Sequence, residues 1–320
     1  MRSGMQKPSY ALISACRNEE AYIEGLVETI AAQTVRPTSW IIVDDGSTDA
    51  TCARAVLRAR ELPFVQVASM PGGRPRSFAS QVYAAQHGWD LAKDLPVDFV
   101  GFLDADIRIA PDYYERLLSF FQADFQLGLG GGAVIDQYPD RTENIRHGSE
   151  DWHVAGGVQF FRRECFEQIG GYVPIEGGGQ DTIADVMALM RGWRIRTFPE
   201  LTAMHLRPDG FAKDSTFARG IKWGRKFYLL GYHPLFYFGQ CLRRIARPPV
   251  VVGSLCQLLG FLLASLKGET RPVSRDFVRY LRCSQMRVVR TFLAAPCSGA
   301  PRLEPNRAPR SSGAGGSILR

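Results

Sequence analysis

Several quick classifiers are missing from this 320-residue chain. Its seven Cys, at 16, 52, 165, 241, 256, 283 and 297, form no CxxC pair and no cluster with the five His. That excludes a zinc-finger module and a disulfide framework, and fits a reducing compartment. No GxGxxG follows the first apolar run, and no Lys stands where a phosphate-binding loop needs one, so dinucleotide-binding and P-loop readings fail. No apolar stretch precedes Ser9, and a cleaved secretion leader is not expected. The longest apolar run, 250–266, falls short of the ~20 residues of a spanning helix and contains Gln257.

What the chain does have is divided by charge. Residues 1–206 carry 19 Lys and Arg against 27 Asp and Glu, whereas residues 207–320 carry 20 against 5. An acidic body followed by a basic region points to an anionic partner for the second part: nucleic acid, a membrane surface or a phosphorylated ligand. Residues 217–247 interleave aromatics with Arg and Lys, 250–266 is almost wholly apolar, and 276–290 is basic and amphipathic. An interfacial or re-entrant helix over 250–266 competes with a span and with a helix buried against the body. From about residue 294 the composition turns to Pro, Gly, Ser and Arg without apolar periodicity, which predicts a disordered tail. Residues 1–8 form a short leading tail.

Within the acidic body, short apolar runs alternate with helical patterns. Strands are expected at 10–15, 40–43, 64–67, 99–103, 127–135, 154–162, 193–198 and 201–206. Helices are expected at 18–33, 50–60, 77–95, from Pro111, and at 164–169 and 181–191, the last two closed by Gly170 and Gly192. This alternation means βαβ units: an α/β fold with a mainly parallel sheet flanked by helices.

Two of those strands end in paired carboxylates. Asp44 and Asp45 follow the second strand, and Asp104 and Asp106 follow the run 99–103. In a parallel sheet both pairs reach the carboxyl edge, where open α/β sheets bind ligands. Buried carboxylates need a counter-cation. An acidic edge that binds phosphate needs a divalent bridge, and Mg²⁺ or Mn²⁺ suits both sets of oxygens. The plainer alternative is a polar strand end, with one Asp capping the turn before Pro111.

The order of motifs carries a resemblance. Ser14-Ala15-Cys16-Arg17-Asn18-Glu19-Glu20, then Val43-Asp44-Asp45-Gly46-Ser47-Thr48-Asp49, then Asp104-Ala105-Asp106 resemble the successive motifs of family 2 glycosyltransferases, which have the Rossmann-like GT-A fold. It continues through Gly177-Gly178-Gly179-Gln180-Asp181 and Met190-Arg191-Gly192-Trp193-Arg194-Ile195, and so covers roughly residues 9–206. The resemblance implies a metal-dependent inverting transfer of a sugar from a nucleotide-diphosphate sugar to a hydroxyl acceptor, lipid-linked or saccharide. Arg17, Glu19, Asp45 and Asp104 would then serve the nucleotide and ribose. Asp106 would hold the metal, with Asp104 and His205 as further candidates. Asp181 would be the general base, beside Gln180, where the family often has Glu. A helix N-cap is the plain role for Asp181, and Asp185 is a rival base one turn on.

Arg219 with Trp223 resembles a fragment of the Gln-x-x-Arg-Trp element of processive synthases, but the Gln is absent. Arg219 and Arg76 are candidates for the pyrophosphate, with a solvated loop charge as the alternative for Arg76. Placement at the cytoplasmic face of a membrane follows as an expectation, as peripheral, monotopic or single-span protein. No nucleic-acid motif and no protein partner is identified. A sugar-nucleotidyltransferase would place a Gly-rich basic loop where Arg17-Asn18-Glu19-Glu20 stands; an inactive nucleotide-sugar-binding scaffold would have little use for four such carboxylates.

Overall fold

The computed structural model describes residues 8–70, 77–137, 146–147, 152–207, 216–245 and 251–294. Arg76, residues 1–7 and the tail beyond 294 lie outside the described residues.

The body begins with β1 (Tyr10–Cys16), α1 (Ile23–Ala31), β2 (Ser39–Asp44), α2 (Thr51–Ala59), β3 (Val65–Ser69), α3 (Phe78–Ala92) and β4 (Phe99–Phe102). It continues with β5 (Ile107–Ile109), α4 (Tyr113–Ala123), β6 (Leu127–Asp136), β7 (Arg146–His147), a 3-10 turn (Gly156–Val158), β8 (Phe160–Arg162), α5 (Arg163–Ile169), α6 (Gln180–Met190) and β9 (Arg194–His205). The sheet runs β3-β2-β1-β4-β8-β6-β9-β5, with β7 beside β6.

Strands β3, β2, β1 and β4 are parallel, as the βαβ alternation predicts. Beyond β4 the sheet is mixed: β8 runs antiparallel to β4 and β6, and β5 antiparallel to β9. β8, entered from the Gly156–Val158 turn, runs opposite to both of its neighbours. Apolar side chains fill both faces of the sheet, with Trp40, Tyr10, Phe121 and Phe160 on one side and Phe161, Phe166 and Val100 on the other.

Three local expectations change. The first helix starts at Ile23 rather than residue 18, because Asn18 adopts φ 56° and Glu19 N–H donates to Thr51 Oγ1 at 2.7 Å. Those residues form a loop that ties β1 to β2 instead of a helical turn. The strand expected over 154–162 shortens to β8, since Gly156–Val158 turns into a 3-10 helix. The two strands expected over 193–206 are one, β9, whose register against β6 shifts between Gly132 and Ala133 and so absorbs the Pro199-Glu200 break.

Four helices follow: α7 (Thr216–Leu229), α8 (Pro234–Arg244), α9 (Val252–Leu266) and α10 (Arg275–Ala294). They dock on the body through a cluster that joins Ile175, Ile183 and Val186 to Tyr228, Tyr237, Phe261, Phe277 and Leu281. α7 and α9 meet backbone to backbone. A methyl at Gly224 would run into the Gln257 carbonyl, and one at Gly260 into that of Ile221. Among the described residues no helix is long and apolar enough to cross a membrane.

Candidate functional site

The carboxyl ends of β1, β2 and β4 supply a rigid acidic edge. Cys16 pairs with Asp44 in the β1–β2 register, and Asp45 N–H donates to the Cys16 carbonyl at 2.8 Å. The two Asp after β2 take different work. Asp44 accepts from Ser47 N–H at 3.3 Å and shapes the turn. Asp45 pairs with Arg17 at 3.4 Å. Asn18 Oδ1 accepts from Thr48 N–H at 2.8 Å, and Glu20 Oε2 from Ala50 N–H at 3.1 Å. Such cross-loop bonds stabilise by about 1 kcal/mol each, enough in series to hold the two loops as one surface.

Asp104 follows β4 by two residues. Its N–H donates to the Gly157 carbonyl at 3.1 Å, and its Oδ1 accepts from Gln81 Nε2 at 3.0 Å. Asp106 is set by the short strand β5. Ile107 pairs with His205 across β5–β9, and Leu206 N–H donates to the Asp106 carbonyl at 2.9 Å. This brings His205 Nε2 to 3.5 Å from Asp106 Oδ2, while His205 Nδ1 lies 2.8 Å from Asp136 Oδ1. Burial alone would lower the His205 pKa, but Asp106 and Asp136 outweigh it and raise it to about 9. Burial likewise opposes the charge on Asp106, yet His205 and Arg207 hold its pKa below the ordinary carboxylate value.

These residues suit a hard divalent ion. The donors are a carboxylate and an imidazole, and Asp136 orients the ring from behind, as outer-shell carboxylates do in metal sites. Among the described residues no group of three or more such ligands converges. Asp106 and His205 would therefore hold the ion with only two protein ligands, leaving other positions for phosphate oxygens and water, the usual arrangement for Mg²⁺ or Mn²⁺. Arg207 shares the pocket: its Nη2 lies 2.9 Å from Asp106 Oδ2 and 2.6 Å from Glu19 Oε1, and its guanidinium stacks over Tyr22. Part of the acidic charge is thus already balanced.

Asp181 sits in the first turn of α6, whose N-cap is Gly179, at φ 107°. The helix-cap role belongs to that glycine and not to Asp181. Asp181 Oδ1 accepts from Thr182 N–H at 2.8 Å, and its side chain stays 23% exposed. The Gly156-Gly157 turn runs between the two acidic groups. A Cβ on Gly156 would lie 3.3 Å from the Asp181 Cβ, and one on Gly157 would lie 2.8 Å from Asp104 Oδ2. One glycine pair therefore lies against Asp181 on one side and Asp104 on the other, a closeness that a side chain on either glycine would disturb. Gln180 turns back on its own helix end, accepting from Gly179 N–H at 3.1 Å.

The rival Asp185 is fully buried, locked by His153 Nδ1 at 2.6 Å from Oδ2 and by Gln159 Nε2 at 3.3 Å from Oδ1. It has no route to an acceptor. Arg219 and Trp223 lie on α7, with Trp223 one turn before Lys226. Lys226 reaches the start of α6, where its Cε would lie 3.0 Å from a Cβ at Gly179.

Three residues of this neighbourhood, His153, Asp136 and Arg207, carry no sequence signal of their own. None belongs to a local motif. Asp136 was legible only as the end of a strand, and Arg207 only as the residue after the last strand.

Residues 11–174, just over half of the chain, match Glycosyl transferase family 2. The chain is 30% identical over 114 residues to EpsH of Bacillus subtilis (strain 168), which is named as a glycosyltransferase; the match spans 36% of this chain and 30% of that protein. Among solved structures, the mannosyltransferase PcManGT from Pyrobaculum calidifontis, in complex with GDP-Man and Mn²⁺, superposes with a TM-score of 0.53 at 18% identity, covering 90% of this chain and 84% of that one. GalNAc-T7 with UDP, GalNAc and Mn²⁺ gives 0.55 at 17% identity, covering 74% of this chain and 51% of that one. S. aureus TarS 1-349 with UDP-GlcNAc gives 0.52 at 15%, covering 85% and 78%. The fold is thus that of GT-A glycosyltransferases, and the chain belongs to glycosyl transferase family 2.

Proposed function

We propose that this chain is a metal-dependent, inverting glycosyltransferase that moves a sugar from a nucleotide-diphosphate sugar to a hydroxyl acceptor, lipid-linked or saccharide, at the cytoplasmic face of a membrane. One observation carries the catalytic reading: Asp104 and Asp181 flank a single Gly156-Gly157 turn, so a donor anchored on the acidic edge would present its anomeric carbon toward Asp181. The GDP-Man and Mn²⁺ of the PcManGT complex, and the UDP, GalNAc and Mn²⁺ of the GalNAc-T7 complex, support this donor class.

In this mechanism Glu19, Asp45 and Arg17 bind the nucleoside end, and Asp104 serves the ribose. An Mg²⁺ or Mn²⁺ ion held by Asp106 and His205 would neutralise charge on the departing diphosphate. Asp181 removes the proton of the acceptor hydroxyl as it attacks the anomeric carbon. A base so placed is worth about 10²–10⁴-fold. Inversion goes with this placement: when Asp181 acts as base on the acceptor hydroxyl, the hydroxyl attacks in a single displacement opposite the departing diphosphate, and Asp185, sealed in the core, is not available as an alternative base.

The membrane reading rests on α8 and α9. Leu235, Phe238 and Leu242 on α8 and Leu255, Leu259, Leu262 and Leu266 on α9 are all exposed, the last by 85%. Their three- and four-residue spacing makes an apolar stripe on each helix, beside Arg243 and Arg244. With 15 residues, α9 is about 22 Å long against a hydrocarbon core of about 30 Å, which suits a helix lying in the interface.

A donor panel of UDP- and GDP-sugars, screened by thermal shift with and without Mn²⁺, tests the donor and metal assignment. We expect an Mn²⁺-dependent rise in Tm with at least one donor, lost in Asp106→Ala. A rise that is equal without Mn²⁺ and survives in Asp106→Ala would refute it.

A further inference from the structure

Behind Asp181 lies a second pair of titratable groups that the reaction as described does not use. His153 stands just before the Gly156-Gly157 turn, and α6 packs over it. Its Nδ1 is 2.6 Å from Asp185 Oδ2 and its Nε2 is 3.9 Å from Asp181 Oδ2. Asp181 and Asp185 are four residues apart on α6, so one helix face presents both carboxylates to opposite sides of the same imidazole. Gln159 braces the arrangement: its Nε2 donates to Asp185 Oδ1 at 3.3 Å, and its Oε1 accepts from the Tyr172 hydroxyl at 2.7 Å. Burying a carboxylate costs free energy, and burial is the main reason the Asp185 pKa is pushed up to about 6; the charge of His153 and its hydrogen bond partly offset that, while Asp181 adds to the rise. A group kept at that cost beside the base is a candidate for function.

We propose that His153 acts through Asp181: Asp185 holds the ring by Nδ1–H with the unprotonated Nε2 turned toward Asp181, and Nε2 receives the proton that Asp181 takes from the acceptor. The inference rests on Asp181 being the base. In the transfer step the acceptor O–H bond breaks, and its electron pair forms the new bond to the anomeric carbon. The bond from that carbon to the diphosphate oxygen breaks, and its pair leaves with the nucleoside diphosphate. The proton passes from the hydroxyl to Asp181 Oδ2 and on to His153 Nε2, where the Asp185 carboxylate balances the imidazolium. The 3.9 Å gap is the looser geometry expected before substrate binds, and it closes when Asp181 carries a proton to donate. Among the described residues the carboxylates of Asp181 and Asp185 face the ring; Tyr172 reaches it through Gln159, and Asp104 lies across Gly157.

The test uses the full chain with Mn²⁺ and whichever donor of a UDP- and GDP-sugar panel it hydrolyses. His153→Gln is expected to lower kcat about 10–100-fold with KM within twofold, and to flatten the acid limb of the kcat–pH profile. Asp185→Asn should move the same limb with a smaller loss. In parallel, imidazole ¹⁵N NMR of the protein without donor should show the His153 pKa falling in both Asp181→Asn and Asp185→Asn, because each removes a carboxylate that favours the imidazolium. This second readout needs no turnover, and a variant that unfolds is recognised by its spectrum. If Asp181→Asn abolishes hydrolysis while His153→Gln leaves kcat and its pH limb unchanged, the inference fails and the base assignment stands. A His153 titration unmoved by Asp181→Asn also overturns the inference. If Asp181→Asn keeps full turnover, the base assignment itself fails.

Discussion

The sheet body and the four C-terminal helices solve opposite problems. The body gathers acidic groups at one edge and needs cations to tolerate them; Arg17, Arg207 and His205 already answer Asp45, Asp106, Glu19 and Asp136. The helices carry an excess of Arg and Lys and, on α8 and α9, leave large apolar side chains in water. In the body the costly feature is buried charge, and in the helices it is exposed hydrocarbon. In the function proposed above, a metal with a diphosphate would offset the first cost and an anionic lipid surface the second. The contact between the two parts runs through Ile183 and Val186 on α6, the helix that begins beside Asp181. The C-terminal helices are thus packed on the same helix that positions Asp181.

Four variants would break or sharpen this contrast. Asp136→Asn should have the largest effect after loss of a site carboxylate: it frees the His205 ring and should weaken Mn²⁺ binding about 10–100-fold by calorimetry in the presence of the donor. Leu255, Leu259 and Leu262 changed together to Ser should cut co-flotation with anionic vesicles on the order of tenfold or more, while Tm and donor binding hold. Retained flotation would detach α9 from the membrane reading.

Gly224→Val forces α7 from α9 and should cost about 1–3 kcal/mol, read as a lower Tm with the donor site intact once folded. Asp185→Asn should have the smallest effect, on the pH dependence of stability. The folded-state pKa of about 6 lies above the ordinary 3.8, so this group stabilises the fold below that ordinary value and the contribution is lost as pH rises through about 6. Wild-type stability should therefore decline relative to the Asn variant between pH 4 and pH 6 in denaturant titrations.

Much of the body was legible in the sequence because it repeats a local logic. An apolar run followed by carboxylates reads as a strand end, and β2 and β4 are such ends. The parallel order β3-β2-β1-β4 follows from the helices between the strands. What escaped depends on pairing between segments far apart in the chain. Asp136 and Asp106 meet His205 only through β9, which pairs with β6 on one side and β5 on the other. The sequence reads there as two strands, 193–198 and 201–206, and the register shift against β6 between Gly132 and Ala133 carries one strand across Pro199-Glu200. His153 carried no motif at all; its meaning comes from α6 folding over the Gly-Gly turn. Among the helices, the exposed stripe of α9 is visible as an apolar run, but the close α7–α9 contact depends on Gly224 meeting the Gln257 carbonyl and Gly260 that of Ile221, a pairing with no local signal.

The central claim divides labour at the site: the acidic sheet edge binds the donor and Asp181 performs the proton transfer. Asp181→Asn measured beside wild type, for donor affinity with Mn²⁺ and for donor turnover, tests this most directly. The expected result is donor affinity within about twofold and turnover lower by about 10²–10⁴-fold. Turnover equal to wild type in that variant would contradict the account.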